Sequence, residues 1–260
     1  GDNSSNQGKS RLDTILETGK ITMATSPDFA PNEFIDLTKT GQESYAGSDI
    51  ELGKYIANKL GVELVIEAMD FSACQAAVSS GSVDMAISAF AWKEDRAESM
   101  GLSDFYNMED SDGKSQGILV LKENADKYKT AADFSGKVVA AQNGALQSEL
   151  VSSQLPEDVK LESITSLNDA VLMLITGKID ALAVASDNGE AFAKNYDEIT
   201  MSDFYFDYTS QGNVVAVKKG EDELLNKINE IIAEVNKNAL YPQWKADAIS
   251  LANKLGIDMN

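Results

Sequence analysis

Histidine is missing altogether from the 260 residues. Its absence removes the side chain that most often acts as a general base near neutral pH and most often ligates a metal. Cysteine occurs once, as Cys74. A single thiol excludes an internal disulfide and a thiolate metal cluster. Its apolar helical surroundings, FSACQAAV, make Cys74 a small core residue rather than a nucleophile. No run of roughly 18 or more apolar residues occurs, so no segment reads as a membrane-spanning helix. Basic residues are also scarce: Lys plus Arg is 22 against 42 Asp plus Glu, a formal charge of −20. So acidic a surface repels nucleic acid and anionic lipid, argues against both as partners, and favours a soluble monomer.

Catalytic and cofactor motifs are lacking too. There is no Gly-rich phosphate loop and no Gly-x-Ser-x-Gly elbow. The segment DLTKTGQES lacks the ligand spacing of a calcium loop. EDSDGKSQ has acids before a glycine but no bidentate Glu at the right distance. No cofactor and no metal are expected.

What is present is a regular alternation of strand-like and helix-like runs, which predicts an α/β fold with parallel strands. Strands are expected at Ile21–Thr25, Val62–Glu67, Met85–Ala89, Gly117–Leu121, Lys137–Ala141, Asp180–Ala185 and Asn213–Val217. Asp49 opens a helix over Ile50–Leu60 that Gly61 stops, and further helices are expected at Ser72–Ser80, Lys93–Ser99, Leu146–Ser153, Leu167–Thr176 and Gly189–Asn195. Glu221–Asn238 is a long amphipathic helix with Leu224, Leu225, Ile228, Ile231, Ile232 and Val235 as its apolar stripe. The first ten residues, GDNSSNQGKS, are small and polar and read as a flexible tether. Such a tether suits the stretch after a removed signal and lipid-anchor cysteine, and equally a cloning remnant. SSGSVDMAIS and LITGKIDALAVAS share a helix–Gly–x–(Val/Ile)–Asp–strand plan, an echo between the two halves that any βαβ unit could also produce.

One constellation suits binding. Arg96 stands one turn into the predicted helix that follows the buried strand at 85–89. A guanidinium fork there can clamp a carboxylate with two parallel bonds, and the helix N-terminus adds N–H groups and partial positive charge. The alternative is a surface salt bridge to Glu94 or Asp95.

The stretches ITMATSPDFAPNEFID, YAGSDIELGKYIANKLGVELVIEAMDFSACQAAVSSGSVDMAIS, AFAWKEDRAESMGLSDFY, FSGKVVAAQNGALQSEL, GKIDALAVAS and NALYPQWKAD, in this order over nearly the whole chain, resemble the polar amino-acid-binding family of ABC-transporter receptors. The resemblance implies a periplasmic-binding-protein type II fold: two α/β lobes, a ligand cleft between them and a two-strand hinge. Lobe 1 is then residues 11–116 plus 214–260, and lobe 2 residues 117–213, with crossings near Ser115–Gly117 and Gln211–Val214. The family's roles would make Arg96 the carboxylate clamp and place the rings of Phe29 and Phe71 on the ligand. Ala89 and Ala91 fall where the family has Gly-x-Thr, so backbone groups remain but a hydroxyl is lost. Gln142, Ala145 and Leu146 fall in a second-lobe loop where the family carries hydroxyls. Trp92 would face the cleft or cap the helix start. The largest departure is Ala185, where the family usually has an Asp for the ligand ammonium; Asp187 and Asp28 are the candidate substitutes, Asp187 being equally readable as a helix N-cap.

These assignments imply an extracytoplasmic binding protein, periplasmic or a cell-surface lipoprotein, that captures a small carboxylate and delivers it to an ABC-transporter permease. An apolar pocket with one strong cation favours an uncharged, hydrophobic or aromatic amino acid. Rivals on the same fold are a dehydratase of cyclohexadienyl type, with Glu33 or Asp187 as its acid, and a ligand-sensing receptor domain. A purely structural surface protein is a further rival.

Overall fold

A computed structural model describes residues 8–107, 113–208 and 212–257. Most of the predicted tether, residues 108–112 of the polar stretch NMEDSDGKSQ, and Gln211 of the second predicted crossing lie outside the described residues. Ser10, assigned to the tether, is instead the N-cap of the first helix, its hydroxyl accepting from Asp13 N.

The chain begins with α1 (Arg11–Thr18), β1 (Lys20–Thr25), a small hairpin β2 (Phe34–Ile35) and β3 (Tyr45–Ala46), α2 (Ser48–Leu60), β4 (Glu63–Ala68), α3 (Phe71–Ser80), β5 (Met85–Ala91), α4 (Glu94–Ser99) and β6 (Met100–Leu102). It continues with β7 (Gln116–Leu121), β8 (Val138–Gln142), α5 (Leu146–Gln154), β9 (Lys160–Ile164), α6 (Leu167–Ile175), β10 (Ala181–Ala185), α7 (Ser186–Asn195) and β11 (Ile199–Tyr205). It ends with β12 (Asn213–Lys218), α8 (Asp222–Lys237) and α9 (Leu240–Lys254).

Two five-stranded sheets result, in the orders β4-β1-β5-β12-β6 and β11-β7-β10-β8-β9. Read from the opposite edge, the second runs β9-β8-β10-β7-β11, the same arrangement as the first. The chain passes between the sheets twice, from β6 to β7 and from β11 back to β12. The expectation of parallel strands fails at one strand per sheet. β12 is antiparallel to β5 and β6, and β7 is antiparallel to β10 and β11. Each reversed strand is the first one after a passage. It enters its sheet from the other lobe, opposite in direction to strands joined by helical crossovers.

Both faces of each sheet are covered, as the alternation of side chains requires. Met85 and Ile87 point into a core with Ile50, Ile56, Ile228 and Ile232, while Ala86 and Phe90 point into another with Phe71, Cys74 and Val78. In the second sheet Leu182 and Val184 meet α6, and Ala181 and Ala183 meet Leu150 and Val151 of α5. Each fully buried Ile or Leu contributes about 1.5–3 kcal/mol. Cys74 is buried, and desolvation pushes its thiol up to about 12, as befits an inert core residue. No helix among the described residues is long and apolar enough to cross a membrane.

Candidate ligand-binding cleft

Between the lobes lies a cavity of about 680 Å³. It is walled by the carboxyl ends of β5 (Ser88, Ala89, Ala91) and β10 (Ala185) and by the first turns of α5 and α7 (Leu146, Gln147, Asp187, Glu190). Loops after strands of such sheets converge at their carboxyl edges, where α/β folds place ligands.

Arg96 forms one end. It is only 4% exposed. Its Nη1 donates to Ala91 O at 2.6 Å, and its Nη2 reaches across to Gly144 O of the second lobe at 3.1 Å. The guanidinium lies 5.2 Å from the Phe90 ring and 5.8 Å from that of Phe71. Its Nε is buried without a hydrogen-bond partner. Burial lowers the guanidinium pKa from its ordinary value, against the raising influence of Asp95 and Glu149, so added negative charge at this place is electrostatically favoured. The surface salt bridge considered from sequence is replaced by this buried arrangement: Asp95 accepts from the Arg96 backbone N (3.0 Å) instead of its side chain. The expected help from the helix N-terminus is also small, because α4 has six residues and one of its N–H groups is already taken by Asp95.

Phe29 and Phe71 line the cleft, their ring centroids 6.3 Å apart. Phe29 also packs among second-lobe residues such as Leu119 and Leu167. Ala89, Ala91, Ala145, Leu146, Ala185 and Asp187 line it as well. Three expected residues do not. Trp92 is 49% exposed and outside the lining, since it follows the end of β5. Gln142 is buried at the end of β8, where its Nε2 donates to Thr165 O. Asp28 is turned away from the cleft: its Oδ2 accepts from Leu167 N at the start of α6 (2.9 Å), and its Oδ1 from the Ser26 hydroxyl. Burial raises the Asp28 pKa despite those bonds. Asp187 lies inside the first turn of α7 and makes no capping bond, so the N-cap reading fails; it pairs with Lys245 of α9 at 2.9 Å.

Behind the cleft floor is a buried polar cluster that sequence reasoning missed. Asp49, read there as a helix cap, is fully buried. Its Oδ2 accepts from Ala89 N (2.8 Å), and its Oδ1 accepts from the hydroxyls of Tyr106 (2.9 Å) and Tyr241 (2.7 Å). Glu33 is equally buried; its Oε1 accepts from the Ser88 hydroxyl, while its Oε2 meets no donor group. Asp49 is its neighbouring buried carboxyl, and a like charge so close disfavours ionisation. Burial first, then the charge of Asp49, push Glu33 well above the usual carboxylate range. Burial and Asp49 likewise raise both tyrosines, which stay neutral donors. Asn213, also missed, donates to Ala89 O (3.0 Å) and accepts from Asn107 Nδ2 (2.9 Å). The only signal available in sequence was the coincidence of a Glu, an Asp and two Tyr far apart along the chain, and no local spacing joins them.

The lobes are held against each other by direct bonds besides those of Arg96 and Asp28. Ser72 Oγ donates to Asn143 O at 3.0 Å, Gln75 Nε2 to Gly144 O at 3.2 Å, and Lys93 pairs with Glu149. Gly144 holds the left-handed conformation (φ 75°), and a Cβ there would meet Gln75 Nε2 at 2.7 Å.

Comparison with known proteins agrees with this architecture. A family model described as "Bacterial extracellular solute-binding proteins, family 3" matches residues 21–247. The arginine-binding extracellular protein ArtP of Bacillus subtilis is 29% identical over 230 residues, covering 87% of this chain and 84% of that protein. The structure of the amino acid ABC transporter substrate-binding protein AbpA of Streptococcus pneumoniae bound to L-arginine superposes with a TM-score of 0.83 at 28% identity, covering 94% of this chain and 99% of that one. An ancestral amino-acid-binding protein, AncCDT-1, described as a precursor of cyclohexadienyl dehydratase, superposes with a TM-score of 0.79 at 27% identity, covering 92% of this chain and 99% of that one.

Proposed function

Because the chain belongs to the bacterial extracellular solute-binding proteins of family 3, we propose that its cleft captures a small carboxylate of the amino-acid class and presents it to the permease of an ABC importer. The observation that carries this reading is Arg96: a buried guanidinium at the cleft end, held by two carbonyls, with a third N–H position unpaired. A carboxylate is the ligand group that a planar fork in a desolvated place binds most strongly.

In this reading the lobes, residues 11–116 with 214–260 and residues 117–213, open and close about the two passages. Ligand contacts to both lobes shift the population toward the closed form. The Phe29 and Phe71 rings and the small walls at Ala91, Ala145 and Ala185 suit an uncharged, apolar or aromatic side chain. A basic side chain is the second reading. It is favoured by Asp187 and Glu190 on one face of α7 at the cleft and by the arginine-binding relatives. The chain works outside the cytoplasm; attachment there by a lipid anchor is part of the proposal. Binding is favoured over a dehydratase because Glu33, a buried acid, is not among the cleft-lining residues, and Asp187 is tied to Lys245.

A thermal-shift panel of the twenty amino acids and matched keto and hydroxy acids tests the reading. A molecule at a hundred times its Kd stabilises by about 2.7 kcal/mol. No shift from any carboxylate sinks the proposal. A best hit among the apolar amino acids supports the first ligand reading, and L-arginine or L-lysine the second. Equal shifts from keto acids assign no role to an ammonium site, in keeping with Ala185.

A further inference from the structure

We propose that Asp49 and Asn213 are positioning residues that tie Ala89, at the cleft floor, to both passages between the lobes, so that contact at the floor and lobe opening are coupled. The inference rests on the reading of the cleft as a ligand site.

Ala89 has φ 51°, a left-handed conformation that L side chains rarely hold. It falls where β5 bulges: the pairing of β12 with β5 shifts register between Val214 and Ala216. Bulges of this kind re-aim the backbone at functional sites. Side chains replace the ladder bonds disturbed there. Asp49 Oδ2 accepts from Ala89 N at 2.8 Å, and Asn213 Nδ2 donates to Ala89 O at 3.0 Å and to Phe90 O at 3.3 Å.

The same two residues reach the passages. Tyr106, four residues beyond the end of β6, gives its hydroxyl to Asp49 (2.9 Å) and its backbone N to Asn213 O (3.0 Å). Asn213 is the first residue of β12, directly after the return passage. A closed ring follows: Ala89 to Asp49, Asp49 to Tyr106, Tyr106 to Asn213, Asn213 to Ala89. Asn107 braces it by donating to Asn213 Oδ1. The first passage and the second therefore meet at the strained residue that faces the cleft. A change in the angle at which either passage leaves lobe 1 alters a bond to Ala89, and a ligand pressing on Ala89 alters the passages. Coupling of this kind is reciprocal.

Spin labels on Leu37→Cys in lobe 1 and Leu172→Cys in lobe 2, both exposed (89% and 51%), report the inter-lobe distance, and the buried Cys74 does not compete for label. Distances are compared in this background, Asp49→Asn and Asn213→Ala, first without ligand and then with saturating L-arginine or L-phenylalanine. Asp49 does not line the cleft, so its replacement removes no direct ligand contact; Asn213 and Tyr106 do line it, so at those positions the ligand-free distances carry the test. The expected result is a broader distance distribution in both variants without ligand, incomplete narrowing at saturation, and about tenfold weaker binding by calorimetry. Cooperative thermal unfolding establishes that each variant is folded; should Asn213→Ala fail to fold, Tyr106→Phe removes one bond of the ring instead. Ligand-free distributions identical to the background overturn the inference, whatever binds. Failure of the background protein to bind any amino acid overturns the functional reading instead, leaving the ligand-free distances to decide this one.

Discussion

The two lobes share one plan but not one chemistry. Their sheets have the same strand arrangement, with β1, β5 and β12 corresponding to β8, β10 and β7. The echo in sequence marks a shared device: Asp84 Oδ2 accepts from Thr22 N at the start of β1, and Asp180 Oδ2 accepts from Val138 N at the start of β8, both at 2.8 Å. Around that common frame lobe 1 adds charge. Asp84 there also holds Arg11 (2.9 Å), and the carboxyl end of β5 is backed by Asp49 and Glu33. Lobe 2 presents the small and apolar Ala145, Leu146 and Ala185 with the carbonyl of Gly144, and its charge at the cleft is confined to Asp187 and Glu190 of α7. In the proposed function, lobe 1 supplies the guanidinium for the ligand's carboxylate.

The largest expected break in this asymmetry is at the ligand. Arg96→Ala lowers affinity by about a hundredfold or more, about 3 kcal/mol, whereas Leu146→Ala in lobe 2 costs about tenfold or less by calorimetry. Equal losses would mean that the lobes share the charge-binding task. Next comes the paired aspartate. Asp84→Ala removes the closer of the two carboxylates paired with Arg11 together with two bonds to Thr22 and costs about 2–3 kcal/mol, while Asp180→Ala removes one backbone bond at about 1 kcal/mol, both read from urea denaturation.

Glu33 adds a pH dependence belonging to lobe 1 alone. Its folded-state pKa is raised above the ordinary 4.5. The folded state therefore holds a proton that the unfolded chain releases. That contribution is complete below about pH 4.5 and is lost as pH rises toward the folded value, at about 1.4 kcal/mol per pH unit. Glu33→Gln keeps a donor toward Asp49 and an acceptor toward Ser88 without the ionisation. Its stability relative to the parent should rise as pH climbs above about 4.5; a constant difference would show that the Glu33 pKa is not raised on folding. The smallest effect is backbone strain. Ala89→Gly relieves the left-handed conformation and stabilises by about 1 kcal/mol, while Ala185→Gly, at φ −61° on the matching strand, destabilises. Melting temperatures moving in opposite directions check both.

Much of the fold beneath this asymmetry was legible in the sequence. The helix around Cys74, the amphipathic stripe of α8 and the strands at 85–91 and 181–185 follow from local periodicity and glycine stops. Other elements carried weak patterns. β9 is exposed along most of its length and β6 has only three residues, so neither shows a clean alternation. α9 has buried residues too sparse to form a stripe, Tyr241, Ala248 and Ala252. Resemblance named the proposed ligand residues; of these Arg96, Phe29 and Phe71 line the cleft, while Trp92, Gln142 and Asp28 lie outside its lining.

The sequence by itself determined the layers, the acidic surface and the presence of a guanidinium after β5, because these depend on composition and on contacts a few residues apart. Only the tertiary structure decided that Asp49 is no helix cap, that burial raises the pKa of Glu33, and that Asp28 serves the opposite lobe. Each of those depends on burial and on partners brought together from distant segments: Asp49 meets residues 40, 57 and 192 positions away. The electrostatic character of a carboxyl group is set by the charges and donors that surround it in three dimensions, and local sequence carries no record of them.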